Sequence, residues 1–307
     1  MIKPEYKAQV DLLLDVIPHV AAEENFALKG GTAINMFVWD MPRLSVDIDL
    51  TYLPFDNRED ALSNIADSLH RIQEILQKAI PGMQVKTLRA GNDPEAKLIC
   101  TTPNAKIKIE VNTIMRGHIS PVRLMQVSTT AQNEFGKFVE MKVISDAELF
   151  GGKICAALDR QHPRDLFDIQ QLFTGGGITE EIKDGFIASL LSHNKSIHEV
   201  LNPTIHDQKQ AFGNQFQGMT IAPFTYADFE ETRERLIKEI LDILTEKDKQ
   251  LLLSIKSGNP DWSLSSIEEL QNLPAVKWKL QNIRKLRDQD SKGHGAMLQK
   301  LESVLLI

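Results

Sequence analysis

Apolar residues near the start of the chain recur at helical spacing. Val10, Leu13, Leu14 and Ile17 share one stripe, which predicts an amphipathic helix over about residues 5–24, interrupted near Pro18. A second stripe, Leu62, Ile65, Ala66, Leu69, Ile72 and Leu76, predicts a helix over residues 58–80 that stops at Pro81-Gly82. Between the two the period changes to two. Val46, Ile48 and Leu50 alternate with Asp47 and Asp49, so this strand buries one face and turns both acids off the other. Phe26-Ala27-Leu28 reads as a short strand entering a Gly turn, with a helix over residues 32–39 behind it. Four further β-rich segments are expected near residues 84–89, 97–102, 106–114 and 138–144, separated by Gly, Asn and Pro turn signals that include Gly91, Asn92 and Pro94. From Ser145 onward the pattern is mostly helical and predicts long amphipathic helices over 229–257 and 266–287, with a break at Gly258-Asn259-Pro260. No internal repeat or low-complexity tract interrupts it.

Length and composition place this pattern in an ordinary globular class. A chain of 307 residues with 42% hydrophobic content can bury a sizeable core, and two domains are expected, 1–145 and 146–307. The opening Met1-Ile2-Lys3-Pro4-Glu5 has no signal-peptide apolar run, and no apolar cluster is long enough to span a bilayer, so cytoplasmic residence without membrane association is the expectation. Cys100 and Cys155 are the two cysteines and neither sits at metal-ligand spacing; the eight histidines are scattered, which leaves zinc without support. His162 reads as a surface or capping residue.

Charge adds one local feature. The net charge of −7 argues against broad nonspecific coating of nucleic acid. Yet Lys277, Lys279, Arg284, Lys285, Arg287 and Lys292 outnumber Asp288 and Asp290 over sixteen residues, an excess of four positive charges. Such a patch can track a phosphate backbone or be a solvated helix face.

The candidate chemistry lies in Leu28-Lys29-Gly30-Gly31-Thr32 and, after a helix-length spacer, Arg43-Leu44-Ser45-Val46-Asp47-Ile48-Asp49-Leu50. A glycine pair opening a helix offers bare backbone N–H groups and a positive end to phosphate. Two carboxylates at i and i+2 of a strand share a face and suit Mg²⁺, which takes hard oxygen ligands together with substrate phosphates. Taken apart, Gly-Gly-Thr is an ordinary turn with an N-cap and Asp-x-Asp an ordinary solvated strand face. Together, in strand–turn–helix–strand order, they point to a nucleoside triphosphate site that transfers part of the nucleotide.

A second charged constellation follows. Ser145-Asp146-Ala147-Glu148 reads as a capping box. Lys153 and Arg160 lie seven residues apart, two turns along one helix face, where both can address one anion. His162-Pro163 breaks the helix, and Arg164, Asp165 and Asp168 open the next one. Salt bridges stitching two helices together are the plain reading of these charges.

Lys29-Gly30-Gly31-Thr32 with Arg43, Ser45 and Asp47-x-Asp49 resembles the first motif of the DNA polymerase β-like nucleotidyltransferase superfamily. Within it, the chain is most similar to the AbiEii/AbiGii-type toxins of abortive-infection and toxin–antitoxin systems. Lys153, Ala156, Arg160, Arg164, Asp165 and Asp168 match the later motifs, a Lys-x-x-Ala-x-x-x-Arg helix followed by Arg-Asp-x-x-Asp. The resemblance covers about residues 28–172, with Thr32 where the family often has Ser.

It implies an α+β protein, a polymerase β-like domain with a mixed sheet followed by an α-helical domain, and Mg²⁺-dependent nucleotidyl transfer at a two-metal site that Mn²⁺ could also fill. Gly30, Gly31, Thr32, Arg43 and Ser45 would bind the triphosphate, and Asp47 and Asp49 the metals. A third carboxylate is required on a neighbouring strand. Over residues 106–114, Ile107, Ile109 and Val111 form one face and Lys106, Lys108, Glu110 and Asn112 the other, so Glu110 is the candidate, where relatives more commonly present Asp; a cross-strand salt bridge is its structural alternative. Lys153 and Arg160 would stabilise the phosphates, and Asp165, with Asp168 beside it, would complete the site by steering Lys153 or accepting a proton. The implied partners are an NTP, an RNA acceptor such as a tRNA 3′ end, and a cognate antitoxin. Transfer to a small molecule or a protein hydroxyl, and a non-catalytic nucleotide-binding role, are the competing readings. Which base, which acceptor and which oligomeric state are not legible in the sequence.

Overall fold

The computed structural model describes residues 3–89 and 95–306. Contacts divide the chain into two compact units, Met1–Leu149 with Gln215–Pro223, and Phe150–Asn214 with Phe224–Ile307. Among the described residues no helix is long and apolar enough to cross a membrane. The Gly91–Pro94 turn signals fall outside the described residues.

In the first unit, α1 (Pro4–Ala21) leads to β1 (Phe26–Lys29), α2 (Gly30–Ala33), β2 (Asp47–Tyr52) and α3 (Arg58–Ala79). Then come β3 (Gln84–Arg89), β4 (Glu95–Thr101), β5 (Lys106–Asn112), β6 (Arg123–Gln126), α4 (Thr129–Phe135) and β7 (Glu140–Val143). The strands form one mixed sheet of order β3-β4-β5-β2-β1-β7-β6. Within it β2 runs parallel to β5 and β1 parallel to β7, the other neighbours being antiparallel. Helix α1 packs on β2, β5 and β7, α3 packs on β3 and β4, and the two helices touch each other. Both apolar stripes are thereby buried against the sheet: Val10, Leu13, Leu14 and Ile17 from α1, and Ile65, Leu69, Ile72 and Leu76 from α3.

Several local features depart from the pattern read in the sequence. Pro18 lies inside α1 without interrupting it. The lost hydrogen bond and ring clash cost about 3 kcal/mol, and burial of Val16, Ile17 and Val20 around the proline offsets that cost. The helix expected over residues 32–39 begins two residues earlier and passes into a π-helical turn, Ile34–Val38, closed by the Trp39 N–H donating to the Ile34 carbonyl at 2.8 Å. Strand β6 and helix α4 were hidden from periodicity: β6 is a four-residue, largely exposed edge strand, and α4 has two turns.

The second unit is helical: α5 (Asp146–Arg160, entered from the first unit), α6 (Pro163–Thr174), α7 (Glu180–Ser192), α8 (Ile197–Leu201), α9 (Lys209–Gln215), α10 (Tyr226–Asp242), α11 (Glu246–Lys256), α12 (Pro274–Gln289) and α13 (Ser291–Leu305). The stretch 229–257 is two helices, because Thr245 and Asp248 close a capping box that starts α11 anew. The stretch 266–287 is a 3₁₀ turn, Glu268–Asn272, followed by α12.

Helices α5 and α7 meet backbone to backbone. A Cβ on Gly151 would lie 2.2 Å from the Gly185 carbonyl carbon and 2.3 Å from the Phe186 nitrogen, neither of which can step aside. Gly151→Ala should therefore destabilise the protein by about 3 kcal/mol or more despite alanine's better helix propensity, read as a lowered urea midpoint.

Candidate active site

The sheet places the predicted carboxylates by register. Residues paired directly across neighbouring strands share a face. Lys29 pairs with Asp49, Asp49 with Glu110, and Glu110 with Lys97, so β1, β2, β5 and β4 carry a row that reads positive, negative, negative, positive. Two residues along β2, Asp47 pairs with Lys108. Between these positions Ile48, Ile107, Ile109, Val111 and Leu98 are buried on the opposite face, and this alternation turns the charged row outward. Along the row itself two lysines stand against two carboxylates, and the same face also carries Asp47, Lys108, Lys106 and, across Ile99, Lys86 of β3.

The glycine turn closes over one end of the row. Gly30 has φ +72°, a conformation glycine adopts without strain, and a Cβ there would sit 2.6 Å from Asp49 Oδ2. A Cβ on Gly31 would meet Arg43 Nη2 at 2.8 Å and Ser45 Oγ at 2.9 Å. The backbone of the turn thus lies directly on the Asp49 carboxylate, the Arg43 guanidinium and the Ser45 hydroxyl, which a side chain at either glycine would displace. Arg43 is buried at 2% exposure and donates from Nη1 to the Leu44 carbonyl at 2.9 Å. Its backbone is fixed by a bridge to Thr220, flanked by Leu44 N–H to the Met219 carbonyl at 2.8 Å and Ile221 N–H to the Pro42 carbonyl at 3.3 Å. Residues 219–221, nearly two hundred positions away, were not legible as part of this site.

Thr32 is fully buried, and its hydroxyl donates to the Asp47 carbonyl and lies 3.0 Å from Ser45 Oγ. It ties the helix start to the head of β2 and so fixes the first aspartate. The extra methyl relative to serine is accommodated inside the protein.

Electrostatics single out Asp49. Burial, and then the like charge of Asp47, push its carboxyl above the usual range, against the opposing pull of Lys108 and Lys29. Two carboxylates on one strand face, one of them costly to ionise, fit a hard divalent cation. Glu110 is engaged otherwise: Lys97 Nζ lies 2.8 Å from Oε1 and Lys108 Nζ 2.7 Å from Oε2. Burial would raise its carboxyl, but hydrogen bonds from Lys108 and Lys97 hold it below the usual value. Among the described residues no three His, Cys, Asp or Glu side chains gather closely enough to hold a metal ion. Lys108, visible in the sequence only as one polar alternation in β5, is as central here as the acids.

The Lys153 cluster belongs to the second unit. Lys153 Nζ lies 2.8 Å from Asp165 Oδ1 and 2.9 Å from Asp168 Oδ2. Arg160 clamps Asp165 from the other side, Nε to Oδ2 at 2.6 Å and Nη2 to Oδ1 at 3.0 Å. The anion that Lys153 and Arg160 jointly address is thus Asp165. Burial opposes its ionisation, but the charges of Lys153 and Arg160 outweigh it and hold the carboxyl far below the usual range. Side-chain exposure separates the two cations: 6% for Lys153 and 61% for Arg160, so Arg160 is the one that solvent can reach.

Gln161 turns the chain between α5 and α6 with φ +49°, and its buried amide accepts from His206 N at 3.0 Å and donates to the Thr204 carbonyl at 2.7 Å. His162 caps α6, Nδ1 accepting from Arg164 N at 3.2 Å. In the capping segment before α5, Ser145 Oγ accepts from Glu148 N at 3.3 Å and donates to Glu148 Oε2 at 2.8 Å, while Glu148 Oε1 takes the Ile119 N–H at 3.0 Å.

Half of the basic patch is structural. Lys279 donates to the Lys195 carbonyl at 2.8 Å, Arg284 to the Gly258 carbonyl at 2.9 Å, and Arg287 to Asn259 Oδ1 at 3.2 Å. Burial pulls the Lys279 amine down to about 8. Lys277, Lys285 and Lys292 are exposed.

Comparison with known proteins bears on this geometry. The family described as nucleotidyl transferase AbiEii toxin, type IV toxin–antitoxin system, matches residues 11–282. Among solved structures, MenT4, a nucleotidyltransferase toxin of Mycobacterium tuberculosis H37Rv, superposes with a TM-score of 0.61 at 13% identity, covering 92% of this chain and 95% of that one. No curated protein matches the sequence.

Proposed function

Starting from the chain's membership of the AbiEii nucleotidyltransferase toxin family, which makes it a nucleotidyltransferase of a toxin–antitoxin system with a nucleotide substrate and an antitoxin partner, we propose that it moves a nucleoside monophosphate from an NTP to an RNA hydroxyl in a Mg²⁺-dependent reaction. The observation that carries this reading is the Gly30-Gly31 turn lying on Asp49, Arg43 and Ser45. Bare backbone at that point lets the turn close onto the carboxylate and the buried guanidinium, which brings the N–H groups that open the helix, a ready site for phosphate, to the aspartate row. Mg²⁺, or Mn²⁺ in its place, would be held by Asp47 and Asp49 and would supply Lewis-acid activation of the phosphoryl group. Gly30, Gly31 and Arg43 bind and orient the triphosphate, Thr32 and Ser45 hold the turn to β2, and Glu110 assists at the acceptor hydroxyl. That hydroxyl oxygen attacks the α-phosphorus and loses its proton to solvent, the bond from the α-phosphorus to the oxygen bridging it to the β-phosphate breaks, and pyrophosphate leaves. In the second unit Arg160, clamped on Asp165, is the exposed cation that would offer charge to an anion, with Lys153 and Asp168 completing the cluster.

A tRNA 3′ end is the acceptor expected for this reading. Purified protein incubated with each labelled NTP, Mg²⁺ and total cellular RNA should label RNA of tRNA length at its 3′ terminus. Label appearing in protein or in a small molecule instead would replace the RNA assignment.

A further inference from the structure

The two oxygens of Glu110 are each held by a different lysine, one from its own strand and one from β4. Strand order puts β4 on the side of β5 away from β2, so Lys97 approaches from outside the aspartate pair, whereas Lys108 stands in register with Asp47 itself. Lys108 is therefore the cation inside the carboxylate group. With Lys29 at the other end of the row, each acid already has a lysine beside it before any metal arrives. One divalent cation can be held by Asp47 and Asp49; a second would need Glu110 as a ligand and would have to displace an ammonium at 2.7 Å.

We propose that Lys108 is a positioning residue that serves as a fixed counter-cation, keeping Glu110 out of the metal-ligand set, so that the enzyme without nucleotide takes one divalent cation at Asp47 and Asp49. This rests on the metal role of those aspartates argued above. It departs from the expectation of two metals in a preformed site, because the position a second ion would share is occupied by a side chain. Removing the ammonium without shortening the chain much, as in Lys108→Met, frees Glu110 Oε2 and opens a second metal position.

The test is titration of the full-length protein with Mn²⁺ in the absence of nucleotide, free Mn²⁺ being read by electron paramagnetic resonance. Wild type should bind one equivalent, Lys108→Met two, and the double variant Lys108→Met/Glu110→Gln one again. Circular dichroism melts of each variant establish that the comparison is between folded proteins, and the double variant keeps the count interpretable because it restores the wild-type net charge by a different route. Two equivalents on wild type, or one on Lys108→Met, would overturn the inference while leaving the metal role of the aspartates intact. Undiminished Mn²⁺ binding by Asp47→Ala would instead remove the metal reading on which it stands. A purely structural role for Lys108 would shift the melt and leave the stoichiometry unchanged.

Discussion

Asp49→Asn should lower nucleotidyl transfer by about 10³-fold, the loss of several kcal/mol of metal-mediated transition-state stabilisation, and at the same time raise the melting temperature of the metal-free protein at neutral pH. The second half follows from linkage. Burial and the neighbouring Asp47 raise the folded-state pKa of Asp49 above its unfolded value. The folded protein then keeps a proton that the unfolded chain, titrating near pH ~4, has already released. Stability associated with the protonated form is complete below the unfolded pKa and is lost as pH rises through the folded one. Asparagine cannot ionise, so the variant escapes that loss: its advantage should be largest at neutral pH and vanish near pH ~3. Thermal melts in chelator from acid to neutral pH, paired with the labelling assay, measure both effects. Turnover equal to wild type would remove Asp49 from the chemistry.

Asp165→Ala should have the largest effect on stability. Asp165 is 1% exposed and satisfies Lys153 and Arg160 together, and its removal leaves a buried ammonium with Asp168 as its remaining acid in this network. Breaking a buried pair from one side costs about 3–5 kcal/mol. The pH dependence runs opposite to that of Asp49. A carboxyl held below its unfolded pKa contributes stability that is full above that value and is lost as pH falls toward the folded pKa. The gap between wild type and Asp165→Ala should thus persist at neutral pH and narrow below pH ~4. Urea denaturation at pH 7 and pH 3 decides it; a difference under ~1 kcal/mol at pH 7 would mean that water screens the cluster.

Much of the sheet was legible because alternation is a local signal: the spacing of Asp47, Ile48, Asp49 and Leu50 and of Ile107, Ile109 and Val111 fixes which side chains face out without any knowledge of the rest of the chain. Register is not local. That Asp49 stands beside Glu110, and Lys108 beside Asp47, depends on which strands pair and where, so Glu110 could be nominated but its lysine partners could not. The same limit explains residues 219–221 behind Arg43. It also explains the basic patch, where the sequence leaves a phosphate track and a solvated face open, and Lys279, Arg284 and Arg287 instead hold the Lys195 and Gly258 carbonyls and the Asn259 amide oxygen. The boundary between the two helices over 229–257 is invisible to periodicity because a capping box inside an amphipathic run leaves the apolar period nearly undisturbed. Pro18 shows the reverse case, in which a strong local rule yields to burial.

The balanced row of lysines and carboxylates bears on how a nucleotide reaches the protein. A chain whose net charge is −7 exerts no long-range pull on a polyanion, and at physiological salt fields fade within about 8 Å. Bare triphosphate therefore gains nothing by electrostatic guidance. Under the metal role proposed for Asp47 and Asp49, a triphosphate that arrives with its charge partly neutralised by a cation is the one the chain repels least, and capture should follow the abundance of the metal–nucleotide complex.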